Sequence, residues 1–199
     1  MDLPYEQDRL VETLAAATKR LVYVNISGNA VTMPWKSKVP AIVQGWFIGS
    51  EAGHALAAVL TGDVNPSGKL PFTWPASLQD VGAHALDTYP GTWRADEKVI
   101  DEEYKEGIYV GYRWVDKQKT RPTFAFGHGL SYTTFKIANL RADRTQMTSD
   151  GQITFTVNVT NTGSCDGAEV VQLYVSDLKS SVDRPLKELK AFRRVHLRA

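Results

Sequence analysis

The first hydrophobic pattern in the chain has the period of an α-helix. Leu10, Val11, Leu14 and Ala15 recur at intervals of three or four residues, and charged residues fill most of the positions around them. This spacing places the apolar side chains on one face of a helix. It therefore predicts an amphipathic helix over about residues 5–19.

Two short apolar runs follow this helix without a helical period. RLVYVNISGN and VPAIVQGWF are rich in β-branched residues, as expected for strands that are buried on both faces of a parallel sheet. SEAGHALAAVL is predicted to be a second helix, with Ser50 as its N-cap and Gly62 at its end. After the turn DVNPSG, KLPFTWP is predicted to be another strand. This order of elements indicates an α/β layer, one too short to be a complete doubly wound sheet.

The middle of the chain has no clear period. Residues 76–105 contain the polar stretch DTYPGTWRADEKVIDEEY and are expected to form a long loop. Loops of that length in compact domains are usually functional or disordered. The next two segments, EGIYVGYRWVD and FAFGHGLSYTTF, are aromatic, are interrupted by glycine, and are predicted to be extended.

After about residue 135 the pattern changes to a period of two. Apolar and polar residues alternate in QITFTVNVTNTG and in AEVVQLYVSD, and KELKAFRRVHL is a third candidate strand. Such strands are typical of a β-sandwich, which needs about seven of them, whereas about four are recognisable here. The sequence therefore predicts an α/β domain over residues 1–134 and an all-β domain over residues 135–199, both incomplete.

Composition excludes several classes of function. The net charge is +1 with no basic run, so nucleic acid is not an expected partner. Cys165 is the only cysteine, and the four histidines are scattered, which predicts neither an internal disulfide nor a metal site. No apolar run is long enough to suggest a membrane partner. The compartment stays open, and a periplasmic or secreted location is expected only if a longer protein carries a signal peptide.

The carboxylates of the loop do not form a recognisable catalytic pair. Glycoside hydrolysis needs two carboxyl groups about 5–10 Å apart, one of them with a raised pKa. Six acids in one polar loop are explained more simply by a solvated surface, because general acids are distinguished by burial and by their partners. No catalytic role is assigned to these residues, which are Asp96, Glu97, Asp101, Glu102, Glu103 and Glu106.

The tryptophans and one serine are the remaining candidates. Trp46 and Trp74 lie inside apolar runs and are expected to pack in a core. Trp93 lies in the polar loop and is the candidate for stacking on a sugar ring. Ser50 follows Gly49 directly, which is the wrong register for a Gly-x-Ser-x-Gly nucleophile, so a helix cap explains it.

Several long stretches together resemble glycoside hydrolase family 3, in particular its bacterial β-glucosidases. VPAIVQGWFIGSEAGHALAAVLTGDVNPSGKLPFTWP and FAFGHGLSYTTF are similar to the second domain of that family, an α/β sandwich. NVTNTGSCDGAEVVQLYVSD and RPLKELKAFRRV are similar to its fibronectin type III-like domain. Ala125 and His128 depart from the family pattern, where Pro and Tyr are expected.

The resemblance implies that the catalytic residues lie outside this chain. In the family, an Asp nucleophile belongs to an N-terminal barrel domain, and a Glu acid/base stands just before a helix start that MDLPYEQ matches. No catalytic residue, metal or cofactor is therefore expected in residues 1–199. The partners implied are the barrel domain and an oligosaccharide or β-glucoside substrate. A β-xylosidase or other exo-glycosidase, or a non-catalytic carbohydrate-binding or adhesion module, stays open as an alternative.

Overall fold

Helices occupy the first part of the chain, and the long strands occupy the last part. The computed structural model describes residues 1–199. The helices are α1 (Gln7–Ala17), α2 (Ala52–Thr61), α3 (Gly82–Ala85) and α4 (Tyr112–Gln118). The strands are β1 (Val22–Asn25), β2 (Ala41–Gln44), β3 (Thr92–Arg94), β4 (Val99–Asp101), β5 (Phe135–Ala142), β6 (Phe155–Asn161), β7 (Gly167–Val175) and β8 (Glu188–Leu197). The predicted order of an α/β part followed by an all-β part is confirmed.

Strands β1 and β2 pair in parallel, as their continuous hydrophobicity predicts. Val24 lies opposite Val43 in this pair. Helix α1 contributes Val11 and Ala15 to the largest buried cluster. Helix α2 is apolar around its circumference but buries none of its residues, so it presents an uncovered hydrophobic surface.

The centre of the α/β part is aromatic. Trp35 is fully buried and donates its indole N–H to Asp8 Oδ1 at 2.6 Å. Trp74 donates its indole N–H to the carbonyl of Val31 at 2.8 Å and packs 6.3 Å from the ring of Trp46. Buried tryptophans usually satisfy their N–H in this way. Trp74 lies in the core as predicted, and Trp46 is half-buried and packs against it.

The predicted N-cap of α2 is wrong. The helix starts at Ala52 after Glu51, and no side chain caps it. Gly49 has a φ of 74° and its carbonyl accepts a bond from the Ala52 N–H at 3.3 Å, so the chain turns before Ser50 reaches a capping position. At the other end, Gly62 closes the helix with a φ of 86°, as predicted.

Two segments predicted to be extended are different in the structure. EGIYVGYRWVD enters helix α4, because Gly111 turns the chain with a φ of 63° and the helix then buries Trp114. KLPFTWP forms no continuous strand, and it meets FAFGHG through an isolated antiparallel bridge between Trp74 and Phe124 and through backbone hydrogen bonds of Leu70 to Gly127 and His128. The two prolines in KLPFTWP lack the N–H groups that a continuous ladder requires.

The expectation of an unstructured loop over residues 76–105 is also wrong in part. The segment contains a 3₁₀ turn at Leu78–Asp80, helix α3 and the antiparallel hairpin β3–β4. These elements are three or four residues long, which is too short to give a visible hydrophobic period.

The all-β part consists of two antiparallel ribbons, β5–β6 and β7–β8. Three of these strands fall within predicted segments. Strand β5 does not, because Asn139 has a φ of 58° and the pairing register shifts between Ala138 and Arg141, which interrupts the alternation. The boundary between residues 134 and 135 stays a prediction.

Polar side chains of the α/β part join it to the ribbons. Asn65, in the predicted turn DVNPSG, accepts bonds from Ser131 Oγ and the Tyr132 N–H and donates to the carbonyl of Asp166. Lys69 Nζ lies 2.8 Å from Glu169 Oε1 on β7, and both side chains are largely buried. These contacts fix how the ribbons sit on the α/β part.

Candidate functional site

The hairpin β3–β4 presents an aromatic side chain to solvent. Trp93 and Ile100 are cross-strand partners, and each is 58% exposed. Gly91 precedes the hairpin with a φ of 86°, and a Cβ there would collide with the carbonyl of Asp101. Only glycine fits this position without strain, so the local sequence sets the path of the chain into β3.

The guanidinium of Arg94 forms ion pairs with the acidic residues of the hairpin. Its guanidinium lies 2.5 Å from Glu97, 3.2 Å from Asp101 and 4.0 Å from Asp96. All these side chains are at the surface, where such pairs contribute little to stability. Their role is geometric, because one planar fork holds the turn and the end of β4 together.

The loop carboxylates do not supply an acid/base pair. Asp96, Glu97 and Asp101 are partners of Arg94, and Glu102 and Glu103 are exposed. A general acid is usually buried or placed beside a second carboxylate so that its pKa rises. Glu106 is the half-buried member of the set and lies against Gly82. Its Oε2 is buried without a hydrogen-bond partner, whereas the other five carboxylates are exposed. That none of the six is catalytic stays a prediction.

The chain after the hairpin is anchored to the all-β part. Tyr109 is buried and donates its hydroxyl to Asp183 and to the carbonyl of Arg184, at 3.2 Å for the second. Lys117 lies over the Tyr109 ring, 3.5 Å from its centre. The hydrogen bond to Asp183 and then burial raise the pKa of Tyr109, and the same bond lowers the pKa of Asp183. This contact ties the segment between β4 and α4 to the all-β part.

Two further exposed tyrosines flank the hairpin. Tyr89 precedes it and packs edge-on to His84, with ring centres 5.1 Å apart, and Tyr104 follows it. Sequence reasoning assigned no role to these tyrosines or to Arg94. The available signal was the pair of short segments TWR and VID around the polar turn ADEK, which is a weak hairpin pattern.

A shallow cleft of about 420 Å³ opens beside the first residues of the chain. Thr32 donates to Asp2 Oδ1 at 2.9 Å, and its N–H donates to the carbonyl of Met1 at 3.1 Å. Asp8, also in the wall, is engaged by the indole of Trp35. The cleft therefore adjoins the segment that the resemblance places next to the acid/base.

The structure shows no group of His, Cys, Asp and Glu side chains that could hold a metal ion. None of its helices is both long and apolar enough to cross a bilayer. Trp93 is exposed on a hairpin, and its role in binding a sugar stays a prediction.

Comparison with known families matches most of the chain. The profile described as the glycosyl hydrolase family 3 C-terminal domain matches residues 1–112, and the fibronectin type III-like domain matches residues 169–199.

Named relatives are β-glucosidases. The chain is 50% identical over 198 residues to beta-glucosidase BoGH3A of Bacteroides ovatus, a match that covers 98% of this chain and 26% of the relative. It is 44% identical to thermostable beta-glucosidase B of Acetivibrio thermocellus, covering 99% of this chain and 25% of the relative. The chain thus spans about a quarter of the length of these relatives.

Solved structures agree with these matches. DesR, a beta-glucosidase from Streptomyces venezuelae in complex with D-glucose, superposes with a TM-score of 0.89 at 39% identity, covering 100% of this chain and 24% of that one. A beta-glucosidase from Kluyveromyces marxianus in complex with glucose gives a TM-score of 0.87 at 42% identity, covering 100% and 23%.

Proposed function

Because this chain belongs to glycosyl hydrolase family 3, we propose that it forms part of a retaining β-glucosidase that removes terminal β-glucosyl residues. In retaining hydrolysis one carboxylate attacks the anomeric carbon, while a carboxylic acid protonates the leaving oxygen and later activates water. Neither group is assigned to residues 1–199, so we propose that both come from other parts of a longer enzyme. The observation that carries this proposal is the 50% identity to a β-glucosidase over 98% of the chain.

Complementation tests this function directly. The purified chain is mixed with a separately expressed N-terminal portion of BoGH3A that ends where the match to this chain begins. We expect the mixture to hydrolyse an aryl β-glucoside and each half alone to be inactive. An aryl β-xyloside in parallel tests the xylosidase alternative. The matching C-terminal piece of BoGH3A is the positive control. If that piece restores activity and this chain does not, the proposed function is wrong.

Within this function, we propose that Trp93 contacts the sugar or its leaving group. Its support is an aromatic ring that stays exposed on a hairpin and lies opposite the exposed Ile100. Aromatic rings of this kind provide large contact areas at little entropic cost. We expect Trp93→Ala in the complemented enzyme to raise KM more than it lowers kcat, as for an interaction made equally in the ground and transition states.

A matched variant separates this role from general loss of apolar surface. Leu178, in the loop between β7 and β8, is 91% exposed and makes a suitable truncation site. We expect Leu178→Ala to leave both KM and kcat unchanged. Equal kinetics for the Trp93 and Leu178 variants would show that Trp93 does not contact the substrate.

A further inference from the structure

Helix α4 meets the end of the loop between β7 and β8 through charges of alternating sign. Three ion pairs join the helix to this segment, namely Arg113 with Glu188 at 3.2 Å, Asp116 with Lys187 at 2.8 Å, and Lys117 with Asp183 at 3.6 Å. Positive, negative and positive groups on the helix thus face negative, positive and negative groups on the segment. A shifted register would bring like charges together, so this pattern selects one way of docking. We call these six residues the α4 clasp.

The contact surface at the clasp is mainly polar. Trp114, the buried residue of α4, lies against Gly82 of the α/β part. Between residues 183 and 189, only Pro185 is buried. Separation of the segment from the helix therefore exposes little apolar surface, and the hydrophobic contribution that opposes it is small. Ion pairs near the surface are individually weak, so the clasp can open without unfolding of either part.

The contacts of the clasp depend on one another because they share partners. Asp183 accepts a hydrogen bond from the Tyr109 hydroxyl and pairs with Lys117, and Lys117 lies over the Tyr109 ring. At the other end, the Leu189 N–H donates to the Tyr112 hydroxyl of α4 at 2.9 Å. When one contact is lost, the geometry of the next is no longer held. We therefore expect these contacts to break together.

An irregularity in the β7–β8 ribbon provides a hinge for this segment. Leu173 pairs with Ala191, but Tyr174 pairs with Leu189, so Lys190 is left between the two registers. An extra residue of this kind interrupts the ladder and bends the strand. Residues 188 and 189 can therefore move with the loop while the regular ladder from Ala191 onward stays intact.

We propose that the α4 clasp is a reversible latch, which releases residues 183–189 as one unit while the α/β part and the regular ladder stay folded. The latch is closed at low ionic strength, and added salt opens it by screening the attraction between its charges. Local openings of this kind are expected where few apolar contacts hold a segment. The latch is independent of the proposed hydrolysis.

The test is amide hydrogen exchange in the 199-residue chain at two salt concentrations. The Leu189 amide is the reporter, because its acceptor is a side chain of α4. We expect its exchange to accelerate about threefold to tenfold between about 20 mM and about 500 mM salt, as exposed ion pairs are screened. Amides of the regular ladder, from Ala191 to Leu197, should change by less than about twofold. Equal acceleration of the ladder, or no acceleration at Leu189, would overturn the proposal.

A charge swap tests the same latch at low salt. Asp116→Lys and Lys187→Asp should each accelerate exchange at Leu189 by about threefold to tenfold, and the double variant should return to within about twofold of the wild type. Lys105→Asp is the matched control, because it breaks a 3.1 Å pair with Glu103 outside the clasp and changes the net charge as Lys187→Asp does. An equal effect of Lys105→Asp, or no recovery in a folded double variant, would overturn the proposal. If a variant does not fold, the wild-type salt response decides.

Discussion

Asn65 provides a sharp test of how the two parts of the chain are joined. Its Oδ1 accepts from Ser131 Oγ at 2.9 Å and from the Tyr132 N–H at 2.8 Å, and its Nδ2 donates to the carbonyl of Asp166 at 2.9 Å. A hydrogen bond contributes about 0.5–1.5 kcal/mol net. The partners lie near the surface, so we expect Asn65→Ala to destabilise the junction by about 2 kcal/mol, in the lower half of the sum of three bonds.

Asn65→Asp is the informative comparison. It retains both acceptor contacts but replaces the donor with an oxygen that faces the Asp166 carbonyl, 2.9 Å from the original nitrogen. A simple count of bonds predicts a loss of about one third of the alanine effect. However, neither the new carboxylate oxygen nor the Asp166 carbonyl carries a proton, so no hydrogen bond can form between them. Leaving a polar group unpaired in this way costs about 1–3 kcal/mol. We therefore expect Asp to destabilise the junction at least as much as Ala.

Cys165 is a built-in probe of this junction. It is the only cysteine, is half-buried, and its Sγ lies 3.9 Å from Asn65 Nδ2. A loss of about 2 kcal/mol corresponds to about a thirtyfold larger population in which the junction is open. The rate of thiol labelling under native conditions should rise by that factor in both variants. Unchanged labelling, or a clearly milder effect for Asp than for Ala, would refute the assignment of the Nδ2 donor.

The tryptophans allow the two parts to be followed separately. All five lie between residues 35 and 114, so intrinsic fluorescence reports the α/β part, whereas circular dichroism reports both parts. For the wild-type chain, coincident urea transitions by the two probes would indicate one cooperative unit. Transitions that separate in the Asn65 variants would show that this residue couples the ribbons to the α/β part.

Two other predictions concern pH and self-association. Burial, and then the charges of Lys36 and Lys69, lower the pKa of His128 in the folded chain. The unfolded chain therefore binds a proton at His128 more readily. The folded state keeps its full stability above about pH 6.5, the unfolded pKa, and loses stability as the pH falls below that value. We expect the urea midpoint to fall between about pH 7.5 and pH 5.5 and to fall less in His128→Tyr; an equal fall in both proteins would contradict this cause. The exposed apolar helix α2 and the open edges of the β1–β2 pair predict concentration-dependent association; sedimentation as a monomer at all concentrations, with a sharp melt, would contradict it.

The sequence predicted the elements whose patterns are long. Helix α1 has an apolar period, β1 and β2 lie in continuous apolar runs, and β6 and β7 lie in alternating segments, and each of these elements is present. Errors occurred where one glycine decides the path of the chain. The positive φ of Gly49 shifts the start of α2, and that of Gly111 starts a helix in a segment that was expected to be extended. A glycine in a sequence shows that such a turn is allowed, but tertiary contacts decide whether it is used.

The candidate sites were less accessible to sequence reasoning than the fold was. The polar residues around Trp93 in the sequence predicted its exposure. The ion pairs of Arg94, in contrast, form because β3 and β4 pair and bring the carboxylates close to it. Similarly, the anchoring of Arg194 by Ser67 joins residues that are 127 positions apart. Neither contact leaves a periodic signal, because it depends on how elements distant in the sequence are brought together.

Side chains from each part of the chain are held by contacts with the other part. The chain that leaves the Trp93 hairpin is fixed by Tyr109, whose hydroxyl bonds to Asp183 in the loop between β7 and β8. The guanidinium of Arg194 is in turn fixed by Ser67 of the α/β part. Each part thus orients a side chain presented by the other, and Asn65 adds a third polar contact between the same two parts. The all-β part therefore does more than lie beside the α/β part, because Asp183 holds the segment through which the chain leaves the hairpin that carries Trp93.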